Sequence, residues 1–479
     1  MSLETVIGLE IHAELKTKTK IFCSCSTEFG TEPNHNTCPI CLGLPGTLPV
    51  LNEEVVALAI KAGKAFHCDI NKLNKMDRKN YFYPDLPKAY QTSQFDLPLC
   101  SNGYVEIDVN GTTKKIRLNR IHIEEDAGKL VHDDDNNVSY IDYNRVGVPL
   151  IEMVSEPDLR SPLEAVTYFK TIKSILEYAD ISDCRMEEGS LRCDANISIR
   201  EAGSDKLNTK VEMKNISSFK ELQKALEKEE KRQRELYIYG EEYKIKQETR
   251  RWDNGKGRTV PMRSKEDAHD YRYFPEPDLV PIIIKEEQIQ EIQSNLPEMP
   301  RDRKERFIKT YSLSENEVDI IIGDKFLAAL FEDTIKLGSK AKSVSNWILG
   351  DLLRLTKELN VKSCDLKITS NILAELIKLI DDNKISTTVG KEVFEEMFKT
   401  GNSPIKIVEE KGLSQISDTS ELTSIIENIL DTNPKSIEDF KLGKSKAAGF
   451  LMGQIMKATK GKANPKVANE MLAKALKNR

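Results

Sequence analysis

The chain has 479 residues, with 71 Lys and Arg against 77 Asp and Glu, which gives a net charge of −6. This length exceeds what one hydrophobic core usually holds, so we expect two or three domains. No apolar run approaches the roughly 18 residues that cross a bilayer, and the N-terminal segment lacks the basic and apolar parts of a secretory signal. We therefore exclude a membrane-spanning protein and expect a cytoplasmic one.

The charge is distributed unevenly along the chain. From Lys441 to Arg479 there are ten basic residues and one acid, a net charge of +9, which leaves −15 for the first 440 residues. A basic segment attached to an acidic body favours a polyanionic partner at that end. The alternative is a solvated helical surface, which is the usual role of such charge runs.

Segment 8–15 is the first of three that alternate between apolar and reactive side chains, with the period of two expected of a β-strand. The others are 120–129 and 190–200. Histidine, carboxylate, amide and arginine groups bind divalent metal and polyphosphate. The reactive faces hold Glu10, His12 and Glu14, then His122, Glu124 and Asp126, and then Arg192, Asp194, Asn196 and Ser198.

Glu10 and His12 face the same way, so they could share one metal ion with a carboxylate of 124–126. Mg²⁺ prefers carboxylate and water oxygens, whereas a histidine ligand would favour Mn²⁺. Glu124 and Glu125 lie on opposite faces of a regular strand, so only one can join this site unless a bulge or a strand end relaxes the constraint. The alternative is a solvated acidic edge.

Two close cysteine pairs, Cys23 with Cys25 and Cys38 with Cys41, are separated by twelve residues. Four thiolates on two turns can form a closed tetrahedral Zn²⁺ site, which is structural because it keeps no position open for water. Free thiols are the alternative, and His35 between the pairs could replace one ligand. The other five cysteines are scattered, as expected of free thiols in a reducing compartment.

The loop 79–91 combines aromatic rings with lysine, aspartate and glutamine, and its prolines make it rigid. Such a loop could stack a base or ribose and contact phosphate, although an ordinary packed loop would have the same composition. Glu152 is flanked by apolar residues, so its burial would need a partner and suggests a specific role.

Two further basic residues could neutralise phosphoryl oxygens as point charges or hydrogen-bond donors. Arg145 lies before a Val-Gly-Val-Pro segment, and Lys214 is predicted to follow a short strand at 211–213. The P-loop, the G-x-G-x-x-G fingerprint and the G-x-S-x-G motif are all absent from the sequence. If the protein uses ATP, the nucleotide would therefore bind on the sheet through metal and basic residues.

The pattern changes from strands to helices at the segment 295–300. Before it, strand-like alternation is interrupted by helices at 161–178 and 218–236, which favours an α+β fold with a largely antiparallel sheet. After it, segments 369–382, with Ser370 as N-cap, and 386–399 have the helical period of 3.6. We predict a catalytic domain at 1–294, with a zinc knuckle at 23–41, a helical domain at 295–403 and a basic helical tail domain at 404–479.

Long motifs of this chain closely resemble those of the B-subunit family of bacterial aspartyl/glutamyl-tRNA amidotransferases. They occur in the same order, from Val6 to about Pro281 and again in the tail. The resemblance is carried by GLEIHAEL, CPICLGLPGTLPVLN, YFYPDLPKAYQ, RIHIEEDAGK, DYNRVGVPLIEMVSEPD, MEEGSLRCDANIS, VEMKNISSF, ETRRWD, DAHDYRYFPEPDLVP and KAAGFLMGQIMKATKGKANPKVANEML.

The resemblance implies a glutamine-synthetase-like sheet, or cradle, followed by helical and tail domains. It implies that ATP phosphorylates the side-chain carboxylate of misacylated Glu-tRNA(Gln) or Asp-tRNA(Asn), and that ammonia then displaces phosphate to give Gln-tRNA or Asn-tRNA. The ammonia would come from a glutaminase A subunit, and a small C subunit would complete a heterotrimer. Phosphoryl transfer needs positioning and charge neutralisation, which Mg²⁺ with Lys and Arg can supply.

The resemblance also implies roles for individual residues of this chain. Metal would be held by Glu10, His12 and Glu125, with Glu124 and Asp194 as second choices, and zinc by the four knuckle cysteines. ATP or the acyl phosphate would be held by Lys79, Tyr81, Asp85, Lys88, Arg145, Glu152, Asn196, Lys214 and Asn215. The tail would contact the tRNA backbone through Lys457, Lys460, Lys462 and Lys466.

Two other functions remain open from the sequence. A non-catalytic tRNA-binding scaffold would carry the acidic face for structural reasons only, and it would show no ATP cleavage. A free-standing ligase that amidates a small acid with free ammonia would not need the basic tail, and its ATP turnover would not depend on tRNA.

Overall fold

The structure is a computed structural model that describes residues 2–133, 135–264, 270–413, 419–441, 446–459, 463 and 465–478. The chain divides into two compact units, Met1–Pro300 and Arg301–Arg479. The first contains both helices and strands, and the second is helical within the described residues. The predicted α+β class is therefore confirmed, and the three-domain division stays a prediction.

The first unit contains most of the regular structure that positions the polar side chains. Its helices are α1 (Glu53–Ala65), α2 (Pro162–Tyr178), α3 (Phe219–Ile238) and α4 (Glu286–Ser294). Its strands are β1 (Leu3–Glu14), β2 (Asp69–Ile70), β3 (Leu73–Asn74), β4 (Asp77–Asn80), β5 (Tyr90–Ser93), β6 (Cys100–Val109), β7 (Thr112–Glu125), β8 (Lys129–Asp133), β9 (Val138–Asp142), β10 (Pro149–Ser155), β11 (Leu191–Glu201), β12 (Val211–Ile216), β13 (Glu248–Asp253), β14 (Arg258–Ser264), β15 (Phe274–Pro275) and β16 (Ile282–Ile283).

One large sheet organises the unit. Within the described residues it has nine strands in the order β14-β13-β12-β11-β1-β10-β7-β6-β2, and all its neighbours are antiparallel except β12 and β13. The three segments predicted to be strands are its β1, β7 and β11. The prediction for 120–129 extended too far at one end, because β7 ends at Glu125 and the chain leaves the sheet at Asp126.

The two faces of this sheet differ in chemistry. The apolar side chains of β1, Leu9, Ile11 and Ala13, are buried in one hydrophobic core with their counterparts on β7, β10 and β11. Helices α1, α2 and α3 pack on this face. Because strand side chains alternate, the polar residues between these positions all point to the opposite face.

The helices of the first unit begin where the sequence predicts. Ser161 and Ser218 cap α2 and α3, since each hydroxyl accepts a backbone N–H three residues later. One strand prediction was too short: β12 continues to Ile216, so Lys214 lies within the strand rather than after it.

The second unit is built from short helices. They are α5 (Pro300–Tyr311), α6 (Glu315–Ile322), α7 (Lys325–Lys336), α8 (Ala341–Trp347), α9 (Leu353–Glu358), α10 (Ser370–Asp381), α11 (Thr387–Thr400), α12 (Pro404–Glu410), α13 (Thr419–Thr432), α14 (Pro434–Lys441), α15 (Lys446–Ala458) and α16 (Pro465–Lys477). A π-helical turn, Ile348–Leu352, joins α8 to α9. Helices α13, α15 and α16 share a separate apolar cluster.

The predicted helices at 369–382 and 386–399 are α10 and α11. The predicted cap of α10 is wrong by one residue, because Thr369 occupies the N-cap and its side chain makes no capping hydrogen bond. Ser386 does cap α11, by accepting from the Val389 N–H. Among the described residues, no helix combines the length and apolarity that a membrane span requires.

These two helix starts provide a matched test of capping. We expect Ser386→Ala to lower the free energy of unfolding of the helical unit by about 1 kcal/mol, because it removes the only side-chain acceptor at that helix start. Thr369→Ala should change it by no more than a few tenths of a kcal/mol. Urea denaturation followed by circular dichroism measures both, and equal effects would contradict this description of the caps.

Candidate active site

Four neighbouring strands align their polar side chains across one face of the large sheet. His12 on β1 lies opposite Arg192 on β11 and Glu152 on β10. Glu152 in turn lies opposite His122 on β7. Residues that face each other in an antiparallel pair point the same way, so this register brings the four side chains into one row.

The centre of the row is a compact cluster of two imidazoles and two carboxylates. The Nε2 atom of His12 lies 3.3 Å from Glu124 Oε1 and 3.4 Å from Glu152 Oε2. The Nε2 atom of His122 lies 3.2 Å from the same Glu152 oxygen and 3.7 Å from Glu124 Oε2. His12, Glu124 and Glu152 each offer a ligand atom, and these atoms lie within 4.8 Å of one another.

The cluster controls the charge of its members. Burial alone would lower the pKa of His12, but hydrogen bonding to Glu124 and Glu152 outweighs it and raises this pKa to about 10. Burial would raise the pKa of Glu124, but the two histidines reduce it to about 2. The pKa of Glu152 is also well below its usual value, because the histidines outweigh burial. Two buried carboxylates thus stay ionised by sharing positive charge.

Basic side chains surround the cluster. The Nζ atom of Lys79 lies 5.0 Å from the centre of the Tyr271 ring, and Glu124 outweighs burial to raise the pKa of Lys79. On the other side, Lys214 donates to Asp194 over 2.6 Å and lies 3.2 Å from Glu212. These cations are placed to neutralise an anionic ligand above the sheet.

A cavity of about 310 Å³ lies over this face, and we call it the sheet-face cavity. Seven predicted site residues line it: Glu10, His12, Lys79, Glu152, Asp194, Asn196 and Lys214. Glu10 lies on its lining and accepts a 2.9 Å hydrogen bond from the Asn196 amide. Glu124 contacts His12 at its base.

Glu125 does not join the predicted partners Glu10 and His12. Its carboxylate forms an ion pair with Lys88 and accepts the Thr92 N–H over 2.8 Å. Both residues of that ion pair line a second cavity of about 290 Å³. The pleat is the reason, since adjacent residues on a strand project to opposite faces.

The structure also separates the other predicted residues from the sheet-face cavity. Arg145 donates to the Ala127 and Gly128 carbonyls and lies 3.2 Å from Asp126, so it holds the loop after β7. The backbone carbonyl of Asp85 accepts from Gly128 in the same region. Tyr81 donates to Gln91 over 3.1 Å.

Asn215 is exposed on β12 with a positive φ of 58°, and it does not line the cavity. Its position follows from the local backbone, since the pairing of β12 with β11 shifts register at this end of the strand.

The four knuckle cysteines converge as predicted from their spacing. Their sulfurs lie within 4.8 Å of one another, and no disulfide joins any of the nine cysteines, all of which are described. A bridge between Thr19 and Ser26 closes the hairpin that carries Cys23 and Cys25. A hydrogen bond from Cys23 lowers the pKa of Cys41 to about 5 despite burial. This donor set and its spacing fit tetrahedral zinc.

The tail lysines are covered only in part. Lys457 is exposed in the last turn of α15. Lys460 and Lys462 lie outside the described residues, and the side chain of Lys466 is likewise not described.

Four cavity residues were not selected from the sequence. Arg120, His122, Tyr271 and Tyr273 all line the sheet-face cavity. Arg120 and His122 have a signal that could have found them, because they precede Glu124 at intervals of two on the same strand. The two tyrosines also alternate, but their segment has no strand-like run to place it, so only the fold brings them to the cavity.

Comparison with known proteins agrees with this geometry. A family model described as "GatB/GatE catalytic domain" matches residues 5–290, and one described as "GatB domain" matches 329–476. The chain is 65% identical to the aspartyl/glutamyl-tRNA(Asn/Gln) amidotransferase B subunit of Clostridium beijerinckii, with 99% of each chain covered. It is 53% identical to the protein of that name from Thermodesulfovibrio yellowstonii, with 100% of each chain covered.

A third relative, the second of the numbered B subunits of this amidotransferase in Clostridium acetobutylicum, is 63% identical, with 99% of this chain and 100% of the relative covered. The sheet-face cavity lies entirely within the matched catalytic region. The resemblance inferred from the motifs is confirmed: this chain belongs to the family of aspartyl/glutamyl-tRNA(Asn/Gln) amidotransferase B subunits.

Proposed function

We propose that this chain is the component of a glutamine-dependent amidotransferase that binds misacylated tRNA and activates its amino-acid side chain. The substrates would be Glu-tRNA(Gln), Asp-tRNA(Asn) or both, and the products Gln-tRNA(Gln) and Asn-tRNA(Asn). The observation that carries the proposal is the sheet-face cavity, where a histidine–carboxylate cluster lies beneath two lysines. The near-complete match to relatives with that name supplies the reaction class.

The chemistry explains why such a site is needed. Ammonia does not displace oxide from a carboxylate, so the γ-phosphoryl group of ATP is first transferred to a carboxylate oxygen, giving ADP and an acyl phosphate. Ammonia then attacks the carbonyl carbon, the C–O bond to phosphate breaks, and phosphate leaves as the amide forms. Both steps develop negative charge on phosphoryl oxygens, which fixed cations stabilise.

The residues present fit a divalent metal at the centre of the cavity. We propose His12, Glu124 and Glu152 as its protein ligands, in place of the set with Glu125, because their ligand atoms already converge. Glu10 is near enough on the adjacent lining to contact water of the metal. When bound, Mg²⁺ supplies charge neutralisation for the phosphates of ATP.

Each side of the cavity then has its own task. Lys79 and Lys214 contact phosphoryl oxygens from opposite sides, and Asp194 keeps Lys214 in place through the 2.6 Å hydrogen bond. The Tyr271 ring, which lies beside Lys79, limits access of water to the reacting groups. The ion pair of Glu125 with Lys88 serves the second cavity instead.

Several further features belong to the same proposal. The fold would be the glutamine-synthetase-like cradle, and the knuckle cysteines would hold structural zinc. An amidase A subunit would supply ammonia, a small C subunit would complete the heterotrimer, and the assembly would act in the cytoplasm. Arg145, Tyr81, Asp85 and Asn215 remain candidates for substrate contact, although they lie outside the sheet-face cavity.

Release of labelled phosphate from ATP tests this proposal. The chain, assembled with its A and C partners, should release phosphate only when Glu-tRNA(Gln) or Asp-tRNA(Asn) is added. Glu152→Gln should reduce this rate by about 100-fold or more, because it removes charge-stabilising contacts from a phosphoryl-transfer site. Glu106→Gln, an exposed carboxylate on β6 of the same sheet, is the matched control and should be near wild type.

The other functions make different predictions in this experiment. A tRNA-binding scaffold would release no phosphate in any variant, and a free-standing ligase would release it without tRNA. Full activity of Glu152→Gln, with tRNA binding intact, would move the chemistry away from the sheet-face cavity.

The tail generates a separate prediction. Lys457→Gln should weaken tRNA binding to a similar extent for different tRNA sequences and reduce the slope of log K against log salt by about 1, because one phosphate contact is lost. Filter binding over a salt series measures the slope. Lys411→Gln, which removes another exposed lysine of the helical unit, should leave it unchanged. A base-dependent loss at constant slope would contradict a backbone contact.

A further inference from the structure

Lys20 is a fully buried lysine, with 0% of its surface exposed. Its ammonium group donates to the Asn36 carbonyl oxygen over 2.6 Å and to the Cys41 sulfur over 3.8 Å. These are its polar contacts in the part of the chain that the structure describes, and none is with a carboxylate. A buried ammonium without an anionic partner is strongly unfavourable.

Other partly or fully buried lysines in the same unit have carboxylate partners. Lys88 pairs with Glu125, and Lys214 pairs with Asp194. Lys20 differs because its only side-chain partner among the described residues is a sulfur atom. The burial of this cation therefore requires that the sulfur carry negative charge, as a thiolate does.

The Cys41 sulfur has the contacts of a thiolate. It accepts the Cys38 backbone N–H over 3.1 Å in addition to the Lys20 ammonium. It also lies within 4.8 Å of the other three cysteine sulfurs. Four neutral thiols would not need two donors directed at one sulfur, whereas four thiolates around Zn²⁺ carry a formal charge of −2 that donors and a nearby cation reduce.

The backbone explains how one lysine reaches this position. The Lys20 N–H donates to the Cys25 carbonyl over 3.0 Å, so the residue begins the hairpin that carries the first cysteine pair. Its side chain crosses to Asn36 and Cys41 on the second pair. Lys20 therefore links the two halves of the knuckle through both its backbone and its side chain.

We infer that Lys20 is the counter-cation of a tetrathiolate zinc centre and a positioning residue for its Cys41 ligand. This inference rests on the zinc site included in the proposed function, and it adds a residue to that site. Lys20 would not contact the metal. Its role would be to stabilise the charged, metal-bound form of the knuckle relative to the metal-free form.

Zinc affinity of the assembled complex tests the inference. Zinc content is measured by atomic emission, zinc affinity by competition with a chromophoric chelator, and the state of the sulfur ligands by the sulfur-to-metal charge-transfer band after Co²⁺ substitution. Wild type should hold one zinc per chain. Lys20→Met should bind it about 10- to 100-fold more weakly, as found when partners of metal ligands are removed, and its band should move to lower energy because the thiolate loses a donor.

Two further variants make the result specific. Lys20→Gln keeps a donor for the Asn36 carbonyl without the charge, so it should also bind zinc more weakly, and it serves if the Met variant does not fold. Lys18→Met removes an exposed lysine two residues away and should match wild type.

The outcomes separate this inference from the zinc proposal. Wild type without bound metal would overturn both. Zinc-loaded wild type with equal affinity and an unshifted band in both neutral Lys20 variants would overturn the role of Lys20 alone.

Discussion

Two buried carboxylates, Glu124 and Glu152, lie side by side against two imidazoles, and this arrangement constrains the rest of the site. Each carboxylate residue is at least nine-tenths buried, so neither can be neutralised by water. Like charges this close destabilise the fold unless positive charge lies between them. In the structure the imidazole of His12 provides that charge. A divalent cation at the same atoms would satisfy the carboxylates equally and release the imidazole proton.

The arrangement depends on strand register rather than on any one loop. A shift of one residue between β1 and β10 would exchange the faces of every side chain on one strand, placing His12 in the hydrophobic core. The core itself prevents such a shift, because Leu9, Ile11 and Ala13 are held there together with the apolar residues of neighbouring strands. The stability of the fold and the geometry of the polar cluster therefore have the same origin.

Period-two alternation in the sequence was sufficient to predict which side chains share a face. It correctly separated Glu10 and His12 from Leu9 and Ile11, and it showed that Glu124 and Glu125 cannot point the same way. It could not predict which strands are neighbours. Family position then favoured Glu125, whereas strand order brings Glu152 on β10 beside His12.

Other features were outside the reach of sequence patterns for similar reasons. Cysteine spacing predicted the knuckle, because both pairs lie on short local turns. It gave no indication of Lys20, whose contact with Cys41 depends on how the hairpin packs against the second turn. The difference of one residue at the start of α10 arises because Thr369 and Ser370 are both acceptable N-cap residues.

The position of a bound metal tests the central claim most directly. Crystals of the assembled complex grown with Mn²⁺ and a non-hydrolysable ATP analogue would locate the ion by anomalous scattering. The structure predicts an anomalous peak at coordination distance from His12 Nε2, Glu124 and Glu152, with the nucleotide phosphates on its open side. A peak on Glu125, or no peak while both imidazoles remain hydrogen-bonded to the carboxylates, would contradict the account.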